Sequence, residues 1–234
     1  MLQADTFAAL DAAFARVSSP QQAFAVTCEL AYQLGFEHVI HAPVRNHPDA
    51  RKNWAATSYP SAWQEIYVAK AYLSRNPVRQ RAAISSQPFL WSSLENELPA
   101  KERELFHDCR ACGMRDGYVV PIHGAWGQAV AIGFACQSQE AIVNPGKTAL
   151  QLLAYKLHHL FDQSSAEAPI KITRREKQLL IYLAQGKLNL EIADAMNISD
   201  NSVEWHLKNI YRKLAINNRT GAVITAIQLG LLEL

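Results

Sequence analysis

Thr173-Arg-Arg-Glu176 opens a run of four short apolar-periodic segments, and this run constrains the fold more than any other feature of the chain. The Thr hydroxyl can accept from the backbone N–H of Glu176 while the Glu carboxylate reaches back, which is a capping box. Leu179, Leu180 and Leu183 then form an apolar stripe that Gly186 ends. A second segment, Asn189–Met196, turns Ile192, Ala193 and Met196 to one side, and Asn197-Ile198-Ser199 makes a tight turn. Ser199 or Asp200 caps a third segment, in which Val203, Leu207, Ile210 and Leu214 fall on one stripe at 100° per residue. A fourth is predicted over Gly221–Leu232, with Val223, Ile227 and Leu231 at a spacing that suits a dimer seam. Isolated helices shorter than about 12–15 residues are marginal in water. These four must therefore bury their stripes against one another as a small all-α domain.

The polar face of the third helix carries Asn201, Ser202, Glu204, Trp205, Lys208, Asn209 and Arg212. A plain solvated face would show short polar groups and no Trp. A recognition helix would show hydrogen-bonding and cationic groups that reach base edges and phosphates. Periodicity alone leaves both readings open. Charge leans toward the second: residues 170–234 hold 9 Lys/Arg against 6 Asp/Glu, whereas residues 1–169 hold 14 against 15. A basic tail on a near-neutral body is consistent with nucleic-acid binding.

The polar segment from Asp162 to Pro169, ending in a residue that stops helices, is the candidate boundary, with 164–170 as linker. Before it, Phe7, Leu10, Phe14 and Val17 recur at helical spacing. Ser19-Pro20-Gln21-Gln22 offers an N-cap, a first-turn Pro and a Gln three residues on, opening a helix that runs to Gly35. His38–His41 and Asn53–Ser58 read as short strands. Tyr118–His123, a turn at Gly124–Gly127 and Ala129–Cys136 read as a hairpin. Asn144-Pro145 opens a long helix through Leu150, Leu153, Leu157 and Leu160. The expected class is α+β: a mostly antiparallel sheet between helical layers, then the four-helix domain.

Several classes of function find no support. No Gly-rich phosphate loop, paired-carboxylate constellation, nucleophile elbow or opening acidic pair of a phospho-receiver is present, so neither an enzyme nor a response regulator is expected. Four cysteines are too few and scattered for a disulfide scaffold. Cys109-Arg-Ala-Cys112 has metal-ligand spacing with His107 nearby, but no second pair completes a zinc site, and the thiols read as packing groups. No apolar run reaches the roughly 18 residues of a membrane helix, and the N-terminus lacks a secretory leader. The expectation is a cytoplasmic protein with no metal and no cofactor.

From Thr173 to Leu232 the sequence resembles the LuxR-type helix-turn-helix. Glu176, Leu180, Gly186, Glu191-Ile192-Ala193, Val203, His206, Asn209-Ile210, Lys213-Leu214 and Asn218-Arg219 stand where that pattern has them. Residues 1–163 resemble, more loosely, the autoinducer-binding domain of the same family, at Tyr59, Trp63, Tyr67, Asn76, Pro77, Val78, Trp91 and Gly117. The resemblance implies an α-β-α sandwich holding an N-acyl-homoserine lactone or an analogue, and a homodimer that binds promoter DNA and works with RNA polymerase. It implies that Trp63 donates to the lactone carbonyl, that Tyr67 closes on the acyl part and that Trp91 covers the ring. Two positions depart from the pattern. Asn76 replaces an Asp that accepts from the ligand amide. Gly133 stands where a strand hydroxyl is common, which removes a donor and is expected to add space. Both departures favour an altered signal or a receptor that works without one.

Overall fold

The computed structural model describes residues 10–45, 55–124, 128–138, 141, 146–164 and 170–232. Two compact units make up the chain. Phe7, Asn53, Asn144, Pro145 and the turn residues 125–127 lie outside the described residues.

The first unit is built on a five-stranded antiparallel sheet in the order β2-β1-β5-β4-β3. The strands are β1 (His38–Arg45), β2 (Ala56–Thr57), β3 (Phe89–Leu90), β4 (Asp116–His123) and β5 (Ala129–Cys136). Both edge strands are two residues long, which leaves little unpaired backbone to template aggregation. Strand β1 is twice the length expected from sequence. It continues through Pro43, which pairs with Val130, to Arg45, with a register shift against β5 between Pro43 and Arg45. The Asn53–Ser58 strand is observed only at Ala56–Thr57, and β4 begins two residues earlier than the hairpin reading.

Side chains alternate across the sheet with period two, and the two faces differ in bulk. Val39, Tyr118, Val120, Ile132 and Phe134 share one face with Leu10, Phe14, Leu150, Leu153 and Leu157 in one core. This layer holds α1 (Pro20–Gln33) and the long Lys147–Ser164 helix, labelled α7, with the helical residues 10–14 carrying Leu10 and Phe14. Ser19 caps α1 by accepting from the Gln22 N–H, and Gly35 follows the helix at φ +89°, where an L side chain would be strained. Gln22 itself reaches back to the Ser18 N–H. Because α7 runs through Ser164, the first residue assigned to the linker is helical.

The opposite face is small. β5 reads Ala-Val-Ala-Ile-Gly-Phe-Ala-Cys, so the residues turned away from the first core are Ala129, Ala131, Gly133 and Ala135. Gly133 lies between Ile40 of β1 and Val119 of β4, and Gly117 pairs with Ala135. Against this shallow face pack Tyr59, Trp63, Tyr72, Trp91, Leu105 and Phe106 in a second core. Tyr59 lies between β2 and α2; the others are carried by α2 (Ser61–Ala69), α3 (Tyr72–Arg75), α5 (Trp91–Glu97) and α6 (Glu104–Ala111), and α4 (Pro77–Ile84) adds Val78. Helix, sheet and helix make the expected α-β-α sandwich.

Among the described residues the second unit has four helices: α8 (Arg174–Ala184), α9 (Asn189–Met196), α10 (Asp200–Leu214) and α11 (Arg219–Gln228). Leu179, Leu180, Ile192, Val203, Leu207, Ile210 and Leu214 are buried in one core. The Thr173–Glu176 capping box forms as read from the sequence. Helix α11 starts earlier than expected, because Asn218 caps it by accepting from the Gly221 N–H at 2.7 Å, and it ends earlier, at Gln228, ahead of the left-handed Gly230 at φ 67°. Val223, Ile227 and Leu231 are half-buried against the unit's own core, and the large apolar side chain that α11 leaves exposed is Ile224.

Candidate functional site

Between the small sheet face and helices α2 to α6 lies a cavity of about 310 Å³. Six of the eight residues expected at a ligand site line it: Tyr59, Trp63, Tyr67, Asn76, Val78 and Trp91. Local sequence explains how they converge. Trp63 and Tyr67 stand four residues apart on α2 and so share a face, with ring centroids 5.7 Å apart. Ala71, left-handed at φ 51°, then turns the chain so that α3 slides Tyr72 behind Trp63 in a stacked contact at 5.8 Å. The Tyr72 hydroxyl donates to Asp108 at 2.8 Å, and Lys70 pairs with the same carboxylate at 2.6 Å. Tyr72 is thus a clamp that holds Trp63 from behind.

Asn76 sits at the joint. In extended conformation it caps α4, its side-chain oxygen accepting from the Val78 N–H at 2.9 Å and the Arg79 N–H at 3.1 Å. Pro77 follows at the first helical position, where its missing N–H costs nothing. The Asn76 side-chain nitrogen donates to the Tyr67 hydroxyl at 3.2 Å. The family pattern gives the acceptor at this position to a ligand amide; in the structure the helix terminus takes the Asn oxygen. Arg79 ties α4 to β1 by donating from Nε to the Val44 carbonyl at 3.1 Å.

Gly117 and Gly133 do not line the cavity, and each acts through an aromatic that does. A Cβ on Gly117 would stand 2.5–2.9 Å from three indole carbons of Trp91, so the glycine is what admits that ring. Asp116 positions the same ring from the backbone, accepting from the Ser92 N–H at 3.0 Å at the start of α5. A Cβ on Gly133 would stand 3.1 Å from the Tyr59 hydroxyl and 3.0 Å from Ile40. The expected extra space is therefore filled by the Tyr59 hydroxyl. Burial pushes the Tyr59 phenol well above its ordinary pKa, with the fields of Cys109 and Cys136 adding to it, so the group stays a neutral O–H donor.

Sequence reasoning missed Ile40, Arg79, Leu105, Cys109, Val119 and Ala131, which also line the cavity. The small-large alternation of β5 is the signal that could have located the sheet floor. Cys109 is buried in this wall with its thiol pushed up by burial, which suits a packing group.

In the second unit, α9, a turn through left-handed Asn197 (φ 51°) and α10 form two helices joined by a tight turn. Asn201, Glu204, Trp205, Lys208 and Arg212 are exposed along α10, while Ser202 and Asn209 are partly buried. Ser202 donates its N–H to the capping Ser199 oxygen, and Asn209 accepts from the Arg212 guanidinium at 3.1 Å. Trp205, 62% exposed, lies edge-on to His206 at 4.9 Å. The cap residue Glu176 is buried and also holds the Lys213 ammonium at 2.7 and 2.8 Å, joining α8 to α10.

Residues 19–162 match the autoinducer binding domain, and residues 171–226 match the family described as bacterial regulatory proteins, luxR family. The chain belongs to the LuxR family. Among its relatives, the quorum sensing-dependent regulator RpaR of Rhodopseudomonas palustris is 32% identical over 185 residues, 76% of this chain and 75% of that one. The transcriptional activator AnoR of Acinetobacter nosocomialis is 28% identical over 229 residues, 94% and 96% of the two chains. The crystal structure of Escherichia coli SdiA superposes with a TM-score of 0.78 at 25% identity over the whole of both chains. SdiA in complex with octanoyl-rac-glycerol gives 0.76 at 25% identity, over 95% of this chain and 93% of that one. This LuxR-family chain is a transcriptional regulator of the quorum-sensing type, with a small-molecule domain ahead of a DNA-binding helix-turn-helix. Its relatives are regulators rather than enzymes, and no helix among the described residues is long and apolar enough to cross a membrane.

Proposed function

We propose that the protein is a cytoplasmic homodimeric regulator that encloses an acyl-bearing signal, an N-acyl-homoserine lactone or an analogue, and then binds promoter DNA beside RNA polymerase. On this reading the signal domain is 1–163, the linker 164–170 and the DNA-binding domain 171–234. The observation that carries it is the aromatic cavity: apolar walls with a few polar tips suit a small amphiphile. Trp63, Tyr67 and Trp91 would hold the head group while Ile40, Leu105 and Val119 pack the chain. The exposed face of α10 would supply the groups for a major groove, with half-sites about 34 Å apart for a dimer. A bound ligand would stabilise the folded state by mass action and raise the DNA-competent population.

Thermal denaturation of the full chain with acyl compounds of graded length tests this. A ligand at 100 times its Kd contributes about 2.7 kcal/mol, or about 5–10 °C in Tm for a domain of this size. Trp63→Phe, which keeps bulk and removes the indole N–H, is expected to reduce that shift. The absence of a shift with every acyl compound would sink the ligand reading and leave a regulator that works without one.

A further inference from the structure

The polarity of the cavity at Asn76 is fixed by the fold, and it is the polarity of a donor. The side-chain oxygen already accepts two backbone N–H groups at the start of α4. Turning the amide over would set its NH₂ against those two N–H donors, so the assignment has one solution. The nitrogen carries two hydrogens, and one goes to the Tyr67 hydroxyl. The other has no protein partner among the described residues, and Asn76 lines the cavity. Because Tyr67 accepts from Asn76, its own hydrogen is also left to give. Trp91, 5% exposed and in the cavity wall, carries a buried indole N–H without a partner. No carboxylate among the described residues lines the cavity. The remaining amide or alcohol acceptors, Gln64 and Thr57, are exposed, and Thr57 Oγ1 already accepts from the Tyr59 N–H.

A ligand amide N–H placed at Asn76 would meet another donor and be buried unpaired, whereas an ester oxygen or carbonyl there would complete the set. We infer that the signal of this protein is an acyl ester, presenting acceptor oxygens and no N–H to Asn76. The inference rests on the cavity being a ligand site, and it narrows the class of ligand the cavity takes. Arg79, the one charged residue among those lining the cavity, adds to the acceptor preference without opposing it.

The test is calorimetric titration of the full-length chain with three eight-carbon probes. The first two are N-octanoyl-homoserine lactone and α-octanoyloxy-γ-butyrolactone, which differ only by an oxygen in place of the amide N–H. The third, 1-octanoyl-glycerol, is an ester with a different head group. Both esters are expected to bind about tenfold or more tightly than the amide, and the tighter of the two identifies the head group. Asn76→Asp keeps the N-cap, since Asp caps as well as Asn, and presents an acceptor to the cavity. It is expected to reverse the order of amide and isosteric ester. Equal or tighter binding of the amide by the parent chain, or an unchanged order in Asn76→Asp, would overturn the inference while the cavity remains a ligand site. If none of the three probes binds, the ligand-site reading and this inference fall together.

Discussion

Replacing Gly117 by Ala tests whether the signal cavity depends on a glycine that does not touch it. The added Cβ would stand 2.5, 2.8 and 2.9 Å from three indole carbons of Trp91, all closer than van der Waals contact permits. Trp91 has little room to yield. Its ring packs against Phe106 at 6.2 Å and Tyr59 at 6.3 Å, and its helix is tied to the residue preceding Gly117 through Asp116. Overpacking of this kind costs about 1–3 kcal/mol. The backbone at Gly117 is ordinary strand, so Ala also gains about 0.5 kcal/mol by restricting the unfolded chain. The net expectation is a loss of about 1–2 kcal/mol, or about 3–6 °C in Tm for a domain of this size. Since the ring can move only toward the cavity, ligand affinity should fall as well. Urea unfolding followed by far-UV circular dichroism reads the first effect, and ligand titration reads the second. Trp91→Phe lacks the clashing atoms, so in the Gly117→Ala background it should recover stability, with a coupling of about 1 kcal/mol between the two sites. A Gly117→Ala protein as stable as the parent, with unchanged ligand affinity, would refute the reasoning.

The second unit offers two more tests. Glu176→Gln keeps an acceptor for the Thr173 N–H but leaves the Lys213 ammonium without an opposite charge, its bond to the Lys171 carbonyl remaining; a fully buried pair would cost about 3–5 kcal/mol, and because Lys213 is 29% exposed we expect about 2 kcal/mol, read as faster hydrogen exchange across α8 and α10. Burial pushes the Glu176 carboxyl up, but Lys213 and the Thr173 N–H and hydroxyl outweigh it and hold it below the usual carboxylate range. With the folded pKa below the unfolded one, the contribution is complete at neutral pH and fades as pH falls from about 4 through the folded value, a dependence that Glu176→Gln should lack. Lys208→Ala with Arg212→Ala should weaken promoter binding at least tenfold and lower the slope of log K against log salt by about 2, measured by fluorescence anisotropy. Unchanged binding would remove α10 as the DNA-reading face.

The helices of the second unit were legible because their signals are local. Thr173 and Glu176 satisfy each other within one turn, and Val203, Leu207, Ile210 and Leu214 lie on one helix face. The start of α11 was misjudged where the decisive residue, the capping Asn218, stood ahead of the apolar pattern. In the first unit the aromatics of the cavity were found, but their roles were not, because those roles are set by residues distant in sequence. Nothing near Trp63 announces that Tyr72 will stack behind it, or that Asp108 will hold the Tyr72 hydroxyl. The strand read over His38–His41 runs on to Arg45 because β5 offers it partners as far as Ala129, which no residue near His41 announces.

Gly133 shows why subtraction from a sequence pattern misleads. On the line of sequence, a glycine in place of Ser or Thr removes a hydroxyl and opens a hole. In the fold, Gly133 lies between Ile40 and Val119, and the Tyr59 hydroxyl stands 3.1 Å from where its Cβ would be. A hydroxyl is thus present at the sheet floor after all, delivered by a residue beyond β2 rather than by β5. A Ser at 133 would push Tyr59 aside, so the glycine and the tyrosine are one device. The same exchange holds at Asn76, where the helix cap consumes the oxygen that the pattern assigns to the ligand. What the cavity can recognise is therefore decided by which polar atoms the fold has already paired, and those pairings leave donors.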